Sequence, residues 1–186
     1  MRRVTCEREW GCVRELRNLL DMLHARAWLM NRALGTRIEV GDRLVERSHE
    51  LDADAPAREL LDAIDAGGDA GEPALEGADF AEGSATVWIP DDADDADERA
   101  ASALLDAMCA RAADARWVLR RPVRRGNERY AMRAWTTQLG LGGADHAWLR
   151  ATLSRNLRGY SAFRDEVARA RWDEARRARR AHHSDM

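Results

Sequence analysis

Arg116, Arg120, Arg121, Arg124, Arg125, Arg129 and Arg133 crowd one short stretch of the chain, with Trp117, Tyr130 and Trp135 set among and beside them. A guanidinium is a planar fork that meets a phosphate or carboxylate with parallel N–H donors, and an aromatic face stacks a base. The mixture suits an anionic ligand, either nucleic acid or a signalling nucleotide. It nominates Arg120, Arg121, Arg124, Arg125, Arg129, Tyr130 and Arg133 as the ligand-binding residues. The competing use of these charges is internal. Residues 51–116 hold 18 acids against 4 arginines, whereas residues 117–186 hold 16 arginines against 7 acids. The arginines would then neutralise the acidic middle of the chain, at little gain per exposed pair.

Other chemistries find less support. All 30 basic residues are arginine, so a phosphate-gripping P-loop lysine and a Schiff-base lysine are both excluded. Asp145, His146 and Ser154 are the residue types of a hydrolytic set. No nucleophile elbow surrounds Ser154, however, and His146 falls one turn inside a helix start, so a surface histidine is the simpler reading. His24 and His49 lack cysteine or histidine partners at ligand spacing, and although a zinc site can be drawn from Cys6, Cys12, His182 and His183, that spacing is unspecific and the two histidines read as the end of an exposed tail. With Cys109 the cysteines are odd in number and unpaired in spacing, which suggests reduced thiols. The acidic run from Asp91 to Glu98 lacks the register and central glycine of a calcium loop, and reads instead as the start of a helix whose positive end favours carboxylates. No catalytic residue, metal or cofactor is expected, and the chain reads as a non-enzyme.

The elements that position these residues follow from periodicity. Val13, Leu16, Leu20, Leu23, Ala27, Met30 and Leu34 recur at spacings of three and four, predicting a helix closed by Gly35. Two shorter helices are expected around Leu44-Val45 and around Leu60, Leu61 and Ile64. Residues 66–74, rich in glycine and acid, form a candidate boundary. Leu75 to Phe80 and Thr86 to Ile89 flank Gly83-Ser84 as a hairpin, with a weaker strand at Val4-Thr5-Cys6 and a third strand at 117–121. A helix at 92–115 carries Leu104, Leu105, Met108 and Ala112. Asn127 caps a helix running to Leu139, a glycine turn follows, and a second helix buries Leu149, Leu153 and Leu157. The turn is longer than a helix-turn-helix allows. Beyond Phe163 a basic helix is expected to project, steadied by Asp165 with Arg169 and Asp173 with Arg177 at i,i+4. Trp28 and Trp135 are expected in the core, and Trp10, Trp148 and Trp172 at an interface.

Two stretches, Arg14 to Gly35 and Arg129 to Arg164, resemble a family carried by phages and integrative elements and described only as virulence-related. In the second, Tyr130, Met132, Arg133, Trp135, Leu139, Gly140, Gly143, Leu157, Gly159, Ser161, Ala162 and Phe163 fall where that pattern places them, while Thr136 and Thr137 stand where it carries leucine. The resemblance implies an accessory gene of a mobile element. It brings no catalytic residues with it.

The expected fold is α+β: a small antiparallel sheet packed against helices, with a C-terminal helical hairpin and a basic terminal helix. Its segments are 1–66, 75–125 and 126–186. The expected function is non-enzymatic binding of an anionic ligand, nucleic acid or a signalling nucleotide, with counter-defence as the expected setting; the alternative is a protein-binding inhibitor of a host defence factor. No apolar run approaches the roughly 18 residues needed to span a membrane. A cytoplasmic chain, able to form homo-oligomers, is the corresponding expectation.

Overall fold

The computed structural model describes residues 1–67, 75–122 and 126–184. In chain order the elements are β1 (Arg2–Glu7), α1 (Val13–Leu34), β2 (Glu39–Val40), α2 (Asp42–Glu50), α3 (Arg58–Gly67), β3 (Leu75–Glu76), β4 (Ala78–Ala81), β5 (Ser84–Ile89), α4 (Asp95–Asp114), α5 (Glu128–Gln138), α6 (Ala147–Ser154) and α7 (Glu166–Ser184), with a 3-10 turn at Ala144–His146. The fold is α+β, as the periodicities predict. The 66–74 connection lies, from residue 68 onward, outside the described residues.

Helix α1 ends on Gly35, whose φ of 69° is the left-handed stop its sequence announces. The predicted stripe is buried except for half-buried Ala27, but so are Asn18, Leu19, Asp21, Met22, Leu29 and Ala33 on its flanks. Only a helix enclosed on several sides loses so many positions from solvent. α1 accordingly packs against α2, α3, α4 and α6.

The main sheet is antiparallel with the order β1-β5-β4. Ala81 faces Ser84 across the predicted hairpin. Val4, Cys6, Ala78, Phe80, Ala85, Val87 and Ile89 turn into the core beneath α4. The N-terminal strand is a full member: Val4 pairs with Val87 and Thr5 with Thr86, their hydroxyls 3.0 Å apart.

The strand expected at 117–121 does not form; residues 115–122 are irregular. Their carbonyls are engaged by side chains of α1 instead of a ladder. Ala115 O accepts from Arg14 Nη1 at 2.9 Å and Asn18 Nδ2 at 2.8 Å, and Arg120 O accepts from His24 Nδ1 at 3.0 Å. Val118 packs on the core, whereas Trp117 and Leu119 remain 72% and 53% exposed.

The acids at 91–98 mark a helix start. Asp94 caps α4 by accepting from Asp97 N at 2.8 Å, Asp91 pairs with the Met1 ammonium at 2.7 Å, and Glu98 with Arg2 at 2.8 Å. On the C-terminal side, Leu149, Leu153 and Leu157 are buried with Met132 and Trp135 of α5. Thr136 is fully enclosed there and returns its hydroxyl to Met132 O at 3.0 Å, which lets a polar side chain occupy a core position. Trp10 proves to be a core residue, 7% exposed, so it presents no interface; Trp148 and Trp172 are 38% and 48% exposed.

Helix α7 bears exposed Val167 and Trp172. Its pairing differs from expectation. Asp165 caps the helix by accepting from Ala168 N at 2.8 Å, and Arg169 pairs forward with Asp173 at 3.8 Å while lying over Tyr160 at 4.2 Å.

Candidate anion-binding site

Arg129 and Arg133 stand one turn apart on α5, where that helix packs against α6. With Arg150, Ala151, Ser154, Arg155 and Ser161 they line a groove of about 510 Å³. No acid is among its described lining residues. The arginines are held chiefly by main-chain oxygens. Arg129 Nε donates to Leu157 O at 2.8 Å, Arg133 Nη1 to Ser161 O at 3.1 Å, and Arg150 Nη1 to Leu141 O and Gly143 O at 2.7 Å each. A carbonyl orients a guanidinium without neutralising it, so the remaining N–H donors keep full cationic strength. Among the described residues, none of these three arginines joins an ion pair within 4.0 Å.

Arg155 is different. Its fork reaches Asp94 at 3.0 Å and Asp97 at 2.6 Å, tying the end of α6 to the start of α4. The bond to Asp94 raises its pKa further above the ordinary guanidinium value. It closes one side of the groove as a neutralised arm.

The loop after α6 is fixed by the first residues of α5. Asn127 Oδ1 accepts from Tyr130 N at 3.3 Å and Tyr160 N at 2.9 Å, and its amide nitrogen donates to Phe163 O. Glu128 accepts from Arg158 N at 2.7 Å. Gly159 passes beside Asn127 with φ at 94°, a backbone that favours glycine. This clamp places Ser161 O under Arg133.

The predicted ligand residues are therefore divided. Arg129 and Arg133 enter the groove. Arg120 and Arg121 are exposed on the irregular segment, and Tyr130 is half-buried without lining the groove. Arg124 and Arg125 lie outside the described residues. Sequence reasoning missed Arg150, Ser154, Arg155 and Ser161. Their signal was present, since Arg129 with Arg133 and Arg150 with Ser154 are both i,i+4 pairs on the polar faces of one predicted helical hairpin. Clustering by chain position favoured the nearer arginines instead. No family model, curated protein or solved structure matches the chain.

Proposed function

We propose that the chain is a non-enzymatic binding protein that holds the phosphates of nucleic acid or of a signalling nucleotide in the α5–α6 groove. One observation carries this reading: Arg129, Arg133 and Arg150, none of them in an ion pair among the described residues, line a single groove with no acid among its described lining residues. Phosphate contacts of this kind need charge and fixed donors rather than a reacting group. The resemblance of residues 14–35 and 129–164 supports an origin in a mobile element, and a counter-defence role in the cytoplasm of a bacterial host is part of the proposal.

The test is fluorescence anisotropy with a labelled single-stranded oligonucleotide, in competition with free nucleotides, across a salt series. Affinity should fall with a log–log slope of about −0.7 per phosphate contacted. Arg129→Ala with Arg133→Ala should weaken binding and lower that slope by about 0.7 per lost contact. Absence of binding to both ligand types at low salt, or an unchanged affinity in the double variant, would overturn the reading.

A second reading, inhibition of a host protein, is favoured by Trp148, which is exposed and lies 4.9 Å beneath the Arg99 guanidinium. Aromatic and arginine side chains are the usual anchors of protein interfaces. A discrete host protein captured by the native chain, and lost on Trp148→Ala but retained by the double arginine variant, would favour it over phosphate binding.

A further inference from the structure

Arg26 lies in the second half of α1, half-buried, and joins no ion pair within 4.0 Å among the described residues. Its Nη1 is buried without a hydrogen-bond partner among the described residues, and the side chain rests over the ring of Trp135 at 5.8 Å. Burial lowers its pKa from the ordinary guanidinium value, with no neighbouring charge acting in the other direction. An unpaired cation in such a place is costly to the fold, and a structure that keeps one normally gives it an anion.

A cleft of about 770 Å³ opens at that position, and its lining includes Arg26, Arg111, Arg116, Trp117, Trp135 and Gln138. Asp114 is the only acid among the described lining residues, whose three arginines leave an excess of two positive charges. The C-terminal end of α4 also approaches, and its carbonyls would repel an anion. They are already occupied: Ala112 O accepts from Asn18 at 3.0 Å, and Ala113 O from Arg14 at 3.4 Å. Trp117, also of the lining, is 72% exposed and supplies a flat aromatic face.

We propose that this cleft is a second binding site, taking a small planar anion whose negative group sits on Arg26 and whose ring lies against Trp117. The ligand class is a ring bearing one phosphate or carboxylate, either a nucleoside monophosphate or an aromatic acid. Gln138 offers both a donor and an acceptor for the ring edge. The cleft shares no lining residue with the α5–α6 groove, so the two sites stand or fall separately.

The full chain is titrated with adenosine and guanosine 5′-monophosphates, with 2-naphthoate and with inorganic phosphate, followed by calorimetry. Either nucleotide or naphthoate should bind, and which one does identifies the source of the ring. Inorganic phosphate should bind at least about tenfold more weakly, because it cannot stack. Arg26→Met should lose at least about tenfold in affinity while its thermal midpoint stays equal or rises, since an apolar chain of similar length replaces an unpaired charge. Trp117→Ala, on the exposed segment, should weaken binding without touching the core, and both cleft variants are also read in the Arg129→Ala, Arg133→Ala background, where nucleotide contacts of the α5–α6 groove are removed and binding in the cleft should persist. No binding by any ring-bearing anion at millimolar concentration, or binding that survives both Arg26→Met and Trp117→Ala, overturns the proposal. Binding of inorganic phosphate as tight as that of the planar anions does so too.

Discussion

Nε2 of His49 lies 3.1 and 3.0 Å from the two carboxylate oxygens of Asp21, fastening α2 to the buried middle of α1. Burial raises the Asp21 pKa above the ordinary carboxylate value, while the His49 bond and the nearby Arg120 and Arg17 charges pull it part of the way back. The folded chain therefore holds this proton at pH values where the unfolded chain has released it. Stability from neutral Asp21 is complete below the ordinary carboxylate value and is lost as pH rises through the raised one. Urea unfolding at a series of pH values should show the difference between native protein and Asp21→Asn shrinking across that window. His49→Ala should cost about 1–3 kcal/mol near neutral pH, because it strips a buried carboxylate of its partner. A pH-independent difference would show that Asp21 does not titrate in this way.

Asp94 has the opposite dependence. The Asp97 N–H at the helix start, followed by Arg155, holds its pKa below the ordinary carboxylate value. Its contribution is present above the ordinary value and disappears as pH falls through the lowered one. Asp94→Asn should keep the cap yet flatten the acid limb of the thermal midpoint against pH, whereas Asp94→Ala should lower the midpoint at neutral pH as well. Equal acid limbs in native protein and Asp94→Asn would place that dependence elsewhere.

A methyl group at Gly159 would meet left-handed backbone and the Asn127 side-chain oxygen together. Gly159→Ala should therefore destabilise by more than about 1 kcal/mol in denaturant unfolding. Because the same loop supplies Ser161 O to Arg133, affinity for the labelled oligonucleotide should drop as well. A variant as stable as the native chain would mean that the loop relaxes at no cost.

Cys109 is fully buried on α4, and Cys6 of β1 is buried beside it. Desolvation is the main cause of the raised thiol pKa at both positions. Neither should react with a disulfide reagent at neutral pH until the chain unfolds, while the half-buried Cys12 reacts in the native state. Mass spectrometry of briefly labelled protein would show one adduct before denaturation and three after it. Early modification at Cys109 would reveal local opening of the α4–sheet interface.

Local signals proved strongest where one residue type satisfies one backbone need. The Gly35 stop, the Asn127 cap, the helix start within the 91–98 acids and the hairpin around Gly83 were all legible for that reason. The centrality of α1 was less so. Its outward-looking Asn18 and Asp21 have partners in Ala112, Ala115 and His49, all far along the chain. The false strand at 117–121 has the same origin: Trp117, Val118 and Leu119 carry strand propensity, but Arg14, Asn18 and His24 decide where the carbonyls on either side of them go. Half of the groove was visible as Arg129 and Arg133. The other half depends on how α6 packs against α5, which no local pattern expresses.

The tethers on Arg129, Arg133 and Arg150 have a consequence for the entropy of capture. A free arginine on a protein surface samples many rotamers, and immobilising such a side chain on binding costs about 0.5–1.5 kcal/mol. Here each is already restrained by a hydrogen bond to Leu157 O, Ser161 O or the Leu141 and Gly143 oxygens. Much of that ordering therefore takes place during folding rather than during association. Discrimination among anions then follows the fixed spacing of the guanidinium groups, and a ligand whose oxygens match that spacing is preferred over one of equal charge that does not.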